Sequence, residues 1–343
     1  MKKLPLIGVM IGDPAGIGPE VCVNAVASGK LAGLCRPVLI GDVGVLRRAA
    51  QICNVALIFE AIESPDQAVR PGAVPVIDPG GFDVAACPFG IASATSGHAV
   101  LDWIRTGERL GRDGALDGLV MGPIESASIK ATGEILDMDD LQPSGTFMLR
   151  MTGRLRVVPL SEHVPLSVAI NLVNPDLVFK LIELLDRTLK GWGCAAPRIG
   201  VAGINPHAMF DEDQEKIAPA VLRGRECSID VSGPLVPDAV FRQTLDGRYD
   251  AVITMFHDQG QIPVKTVGFE GACTVYIGLP FVMLNVPHGT AYDIAGKGVA
   301  QHLSMLAAIQ TAARLASGGG IMPGAMPDYA NTGTAARLQA ESK

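Results

Sequence analysis

The sequence predicts an α/β protein divided into two domains and built on largely parallel sheets, and three observations carry that prediction. Its 343 residues exceed what one hydrophobic core usually serves. Short apolar runs alternate with segments of helical periodicity, the pattern of successive βα units. Forty glycines and 24 prolines, against only 18% charged residues, suit a compact chain with many tight strand-to-helix turns.

Residues 6–11 read as a buried first strand. A Gly- and Pro-rich turn follows, Gly12-Asp13-Pro14-Ala15-Gly16-Ile17-Gly18-Pro19-Glu20, and opens a helix at Pro19. The turn matches neither GxGxxG nor a Walker loop, so its spacing alone reads as an ordinary strand-to-helix connection. Further strands are expected at 38–41 and 74–78, with a helix at 43–53 between them. Residues 95–112 form a long amphipathic helix with Val100, Ile104 and Leu110 on its apolar side, and a strand at 118–124 follows. His98, on that helix, reads as structural. Residues 133–153 show no clear period and read as a domain boundary or an active-site loop.

Beyond this boundary a strand at 155–160 ends in Ser161-Glu162-His163. Asn174 and Pro175 cap a helix to about Gly191. The strand 198–204 ends in Asn205-Pro206-His207, and helices at 213–221 and 238–245 lead into the apolar run 249–256, which breaks off into His257-Asp258-Gln259-Gly260. Strands at 274–277 and 281–286 and a helix at 302–316 complete the pattern, and the tail from Gly318 reads as poorly ordered.

A net charge of −7 leaves no basic excess for nucleic acid or anionic lipid, and aromatic residues at 5% are too sparse for base stacking. Seven cysteines without a CxxC pair fit reduced thiols in a cytoplasm. The basic, apolar start is cut short by Asp13 and reads as a strand rather than a signal peptide. No apolar stretch approaches the roughly 20 residues of a membrane helix.

Three histidines share one context: His163, His207 and His257 each follow an apolar strand directly. Strand ends of a parallel sheet can converge on one cleft, and neutral imidazoles are common ligands of Zn²⁺ and related ions. Taken alone, the residues equally admit three unrelated histidines at strand ends, because their separations match no short metal motif.

A fourth histidine lies in Pro287-His288-Gly289-Thr290-Ala291-Tyr292-Asp293-Ile294-Ala295-Gly296-Lys297-Gly298. This stretch resembles the cofactor loop of the isocitrate and isopropylmalate dehydrogenases. Together with the 12–20 turn, Gly203-Ile204-Asn205-Pro206-His207-Ala208 and Phe256-His257-Asp258-Gln259-Gly260 with Lys265, it resembles the 4-hydroxythreonine-4-phosphate dehydrogenase family up to about residue 316.

The resemblance implies two α/β/α domains flanking a cleft, an isocitrate/isopropylmalate dehydrogenase-like fold. One domain would comprise residues 1–128 with 280–343, the other residues 129–279. It implies a homodimer with a shared active site and a small hydroxy acid as substrate. His163, His207 and His257 would bind a divalent metal (Zn²⁺, or Co²⁺, Mn²⁺ or Mg²⁺). Asp13, Gly16, His288, Gly289, Thr290, Ala291 and Asp293 would bind NAD, with NADP admitted, while Lys265 and Asp258 would serve the chemistry.

Departures from the family pattern bear on the substrate. Ser144-Gly145-Thr146-Phe147 stands where phosphate-binding members carry Gly-His-Thr-Glu. Thr274 replaces an asparagine and Met283 an arginine, and Glu125-Ser126 falls where a lysine is usual. Losing an arginine removes a planar fork suited to a phosphate dianion. The expected substrate is therefore a non-phosphorylated cis-dihydrodiol carboxylate of the terephthalate or isophthalate type, contacted by Ser144, Thr146, Lys265 and Thr274 and decarboxylated on oxidation. The alternatives are 4-hydroxythreonine 4-phosphate, a phosphorylated threonate or erythronate, and a non-catalytic small-molecule-binding role.

Overall fold

The computed structural model describes residues 3–268 and 273–320. Among these, twelve strands follow in chain order: β1 (Leu6–Met10), β2 (Arg36–Ile40), β3 (Ile58–Ile62), β4 (Ala73–Ile77), β5 (Gly118–Met121), β6 (Phe147–Thr152), β7 (Leu155–Pro159), β8 (Ile199–Ala202), β9 (Val231–Leu235), β10 (Ala251–Thr254), β11 (Cys273–Ile277) and β12 (Val282–Asn285). The α-helices are α1 (Gly18–Ala27), α2 (Val43–Ile52), α3 (Ala94–Arg112), α4 (Ser126–Ala131), α5 (Leu166–Leu172), α6 (Pro175–Gly191), α7 (Ala218–Glu226), α8 (Val240–Leu245), α9 (His257–Val267) and α10 (Leu303–Ala316). No described helix is long and apolar enough to cross a membrane.

The chain forms two compact units. The first runs to Thr146 and resumes at Gly278–Gly319, and the second comprises Phe147–Ile277 with Gly320. Residues 129–146 stay with the first unit because α4 is packed hard on α3. A Cβ on Gly97 of α3 would stand 2.1 Å from the Ser128 carbonyl oxygen, so only glycine permits that approach.

In the first unit the strand order is β3-β4-β2-β1-β5-β12, and every pairing is parallel. Both faces of such a sheet are covered, which is why β1 and β5 read as unbroken apolar runs and every residue in them is buried. Helix α10 packs against β1, β5 and β12, while α3 contacts β1, β2 and β5. Helix starts are locally encoded: Asp42 caps α2 by accepting from the Val45 amide at 2.7 Å, and Ser93 caps α3 through the Ser96 amide.

The second unit orders its strands β11-β6-β7-β10-β8-β9. The β11-β6 and β6-β7 pairs are antiparallel, and β7, β10, β8 and β9 run parallel. Helix α6 begins at the expected Asn174 cap, whose side chain accepts from the Leu177 amide at 3.0 Å. Strands β3, β6 and β9 and helices α4, α5 and α9 have no counterpart in the sequence reading, and β6 falls inside the 133–153 stretch expected as a boundary or loop. Each is short or carries glycine, proline or polar residues that obscure its period, as Gly260 and Pro263 do in α9. The expected disorder of the tail concerns residues that, beyond 320, lie outside those described.

Candidate functional site

The parallel strands β7, β10 and β8 are immediate neighbours, and each delivers one of the three predicted histidines just past its C-terminal end. His163 follows β7, His257 opens α9 after β10, and His207 follows β8. Open α/β sheets place ligands at this edge.

The rings of His163 and His257 lie 4.8 Å apart between centroids. A ligand atom from each lies within 4.8 Å of the other and of a carboxylate oxygen of Glu162. Two imidazoles and a carboxylate form a donor set known from catalytic zinc sites, with room for a further ligand, so these residues fit a divalent cation. His257 Nδ1 is 2.9 Å from Asp258 Oδ1, and a proton shared there leaves Nε2 free to coordinate.

His207 is not in that close group. It occupies the left-handed region at φ 59°, followed by Ala208 at φ 52°, an arrangement that non-glycine residues adopt only when their surroundings enforce it. Asp213 is the enforcing group. Its buried carboxylate accepts from the Ile204 amide at 2.7 Å and from the Asn205 and Phe210 amides at 3.3 Å. Gln259 ties this loop to the β10 end, donating to the Gly203 carbonyl at 2.7 Å and accepting from the Met255 amide at 2.8 Å.

Lys265 is exposed, in the last turn of the helix that His257 begins. Eight residues of α-helix separate them by about 12 Å of axial rise. Helix geometry therefore does not set this lysine beside the two imidazoles.

In the first unit the loop from His288 to Gly298 is braced from behind by three carboxylates. Asp13 is 0% exposed, and it accepts from the Ala15 amide at 2.8 Å, the Tyr292 hydroxyl at 2.9 Å and the Ser96 hydroxyl at 3.2 Å. Burial holds its carboxyl above the usual range, against the pull of those hydrogen bonds. Glu125, in the Glu125-Ser126 segment that falls where the family usually carries a lysine, accepts from the Thr290 hydroxyl at 2.9 Å. Glu20 accepts from the Gly296 and Gly298 amides at 2.6 and 2.9 Å. A Cβ on Gly16 would lie 2.8 Å from Thr290 Cβ and 2.9 Å from its carbonyl oxygen, so glycine here is a condition of loop packing. Gly289, Ala291 and Asp293 lie on the more accessible side of the loop, and His288 Nδ1 approaches the Gly289 carbonyl oxygen at 3.1 Å.

Of the residues expected to touch substrate, Ser144 is exposed on the turn whose Gly145 has φ 76°. Thr146 is buried, and its hydroxyl is spent on the Pro143 carbonyl at 2.6 Å. Met283 is 0% exposed on β12, so its position belongs to the core. Thr274 on β11 pairs directly with Arg150 on β6. Sequence reasoning passed over Arg150 and Glu162, which form a two-pronged ion pair at 2.8 and 2.7 Å. The available signals were an arginine inside an otherwise apolar strand and the acid adjoining His163.

A family profile described as pyridoxal phosphate biosynthetic protein PdxA matches residues 33–312. A chain from Novosphingobium aromaticivorans, provisionally named a 4-hydroxythreonine-4-phosphate dehydrogenase, is 42% identical over 92% of this chain and 96% of its own length. The D-threonate 4-phosphate dehydrogenase of Cupriavidus necator is 40% identical over 92% of this chain and 98% of its own. Among solved structures, a 4-hydroxythreonine-4-phosphate dehydrogenase from Burkholderia phymatum superposes with a TM-score of 0.81 at 37% identity, covering 92% of this chain and 99% of that one. A terephthalate 1,2-cis-dihydrodiol dehydrogenase from Burkholderia xenovorans LB400 reaches 0.71 at 28%, covering 93% and 99%. With the profile spanning most of its length and full-length relatives at 40% identity and above, this α/β chain belongs to the PdxA family of dehydrogenases.

Proposed function

We propose that this protein is an NAD-dependent, divalent-metal-dependent dehydrogenase that oxidises the secondary hydroxyl of a phosphorylated four-carbon hydroxy acid, of the threonate 4-phosphate or 4-hydroxythreonine 4-phosphate type. The observation that carries this reading is the grouping of His163 and His257 at adjacent parallel strand ends, in a chain at least 40% identical to proteins named as dehydrogenases of such phosphates. These names favour the phosphorylated substrate over the ring diol that the altered anchors suggested.

When bound, a divalent cation supplies a Lewis acid for the substrate oxygens and NAD supplies the hydride acceptor. His163 and His257 would hold the cation, with His207 joining them from the loop after β8. Asp258 would keep the proton on His257 Nδ1 and so fix which nitrogen coordinates. Lys265 would neutralise a substrate carboxylate. The loop carrying His288, Gly289, Thr290, Ala291 and Asp293 would hold the adenosine half of NAD, while Asp13 and Gly16 support that loop from within. Oxidation of a hydroxyl β to a carboxylate yields a β-keto acid, which loses CO₂ readily, and decarboxylation belongs to this proposal.

A homodimer is proposed as well. Val164, Leu166, Val168 and Leu172 are all exposed apolar residues immediately after His163, and a second copy would cover them.

A second reading, oxidation of a cis-dihydrodiol carboxylate, is favoured by one observation. Ser144, Thr146, Thr274 and Met283 include no cation. Incubation with NAD and Zn²⁺, Mn²⁺ or Co²⁺ separates the readings when NADH and CO₂ are followed. Turnover of D-threonate 4-phosphate or 4-hydroxythreonine 4-phosphate, with none of terephthalate cis-dihydrodiol, supports the first, and the reverse pattern supports the second. Absence of NADH with every substrate sinks the dehydrogenase assignment for this chain.

A further inference from the structure

The family resemblance implies three histidine ligands, yet the third ligand atom that reaches both His163 and His257 belongs to Glu162. This carboxylate does not hang free in solvent. Its side chain is 15% exposed and is clamped by Arg150, itself 6% exposed, with Nη1 to Oε1 at 2.8 Å and Nη2 to Oε2 at 2.7 Å. Arg150 Nη1 also donates to the Met148 carbonyl at 3.2 Å. With its amide oxygen turned toward the guanidinium, Gln261 accepts from Arg150 Nε. Gln261 lies on α9, one turn beyond His257, so the guanidinium links the segment bearing His163 to the helix that His257 begins.

We propose that Glu162 is a further protein ligand of the divalent cation held by His163 and His257, and that Arg150, steadied by Gln261, is the positioning residue that aims it. This inference rests on the metal-site reading above.

The lone-pair count permits it. An ionised carboxylate offers about four acceptor positions, and a bidentate arginine uses one on each oxygen. One position per oxygen stays available on the side toward the imidazoles. The charge balance favours it as well. A half-buried carboxylate would be costly unpaired, and the guanidinium offsets its charge. Ligating carboxylates are normally held by hydrogen bonds of this kind, and loss of such partners typically weakens metal binding about 10–100-fold.

The test is Co²⁺ binding to the full-length, chelator-stripped protein, followed by visible absorption and by competition with a chromophoric chelator. Glu162→Gln should weaken Co²⁺ about 10–100-fold and change the intensity of its visible bands. Because that variant strands a buried guanidinium, the double variant Arg150→Met with Glu162→Leu removes the pair together, and it should melt like the wild type while showing the same loss. His257→Ala should lose binding more severely still. If both Glu162 variants bind Co²⁺ with wild-type affinity and spectrum while His257→Ala does not, Glu162 is only the partner of Arg150, and the histidine site stands without it. If His257→Ala also binds as the wild type does, the metal-site reading fails and takes this inference with it.

Discussion

Asp13 shows how a residue found by motif can have a role other than the one its motif suggests. The 12–20 turn pointed to a cofactor contact, but the carboxylate is enclosed and fully engaged by Ala15, Ser96 and Tyr292. Its position in the chain was legible, and its orientation was not, because the partners come from residues 83 and 279 positions away. Enclosure raises its pKa, and the sign of the consequence is definite. The stability it contributes is complete below the unfolded value of about 3.9 and is lost as pH rises through the higher folded value. The stability of the wild type relative to Asp13→Asn should therefore decline as pH is raised from about 4, measured by denaturant unfolding at a series of pH values. A difference that grows with pH would contradict the burial argument. Glu162 is the opposite case: it stood beside His163 in the sequence, and only the approach of α9 and β6 gave it a role.

At the scale of elements, the strands and helices with strong local signals were legible: β1, β7, β10, α2, α3 and α6 fall within a residue or two of their expected bounds. Continuous apolar runs and side-chain caps encode these directly. The segments that carry the site were harder to read. Helix α9 contains Gly260 and Pro263, and a π-helical turn at Asp213–Ile217 leads into α7. In both places tertiary contacts override weak local preference. The 12–20 turn illustrates the dependence, since its Gly16 touches Thr290 and the Ile17 amide donates to the Thr290 carbonyl at 2.9 Å. Gly16→Ala must push the two loops apart. It should cost about 1–3 kcal/mol of stability, as overpacking generally does, and raise the KM for NAD more than it lowers kcat. A variant with wild-type melting and an unchanged KM would show that the contact is slack.

On the scale of the molecule, two units each close a core of their own, and the candidate metal group and the cofactor loop belong to different ones. Ligands that bind the native state alone stabilise it by mass action, about 2.7 kcal/mol at a hundredfold excess over Kd. Stripping with a chelator should therefore lower the melting temperature, and readdition of Zn²⁺ or Co²⁺ should restore it in the wild type but not in His257→Ala. Equal melting temperatures with and without metal would remove the stabilising role assigned to the second unit's strand ends. The substrate is also a property of the whole chain. Reading anchors singly from Met283 and Thr146 favoured a ring diol, whereas full-length similarity favours phosphorylated hydroxy acids. Met283 faces the core and Thr274 sits opposite an arginine that the motif comparison did not include, so these two positions say less about the substrate than their motif suggested.

By itself the sequence determined the α/β class, the family and the placing of three histidines after apolar strands, because strand periodicity, turn chemistry and motif spacing are local properties of a chain. Tertiary structure alone decided that β7, β10 and β8 are neighbours, that His163 and His257 meet beside Glu162 and its partner Arg150, and that Asp13 faces inward. Those facts depend on strand order and on side chains brought together from distant positions, His163 with His257 across 94 residues and Asp13 with Tyr292 across 279, which local pattern does not encode.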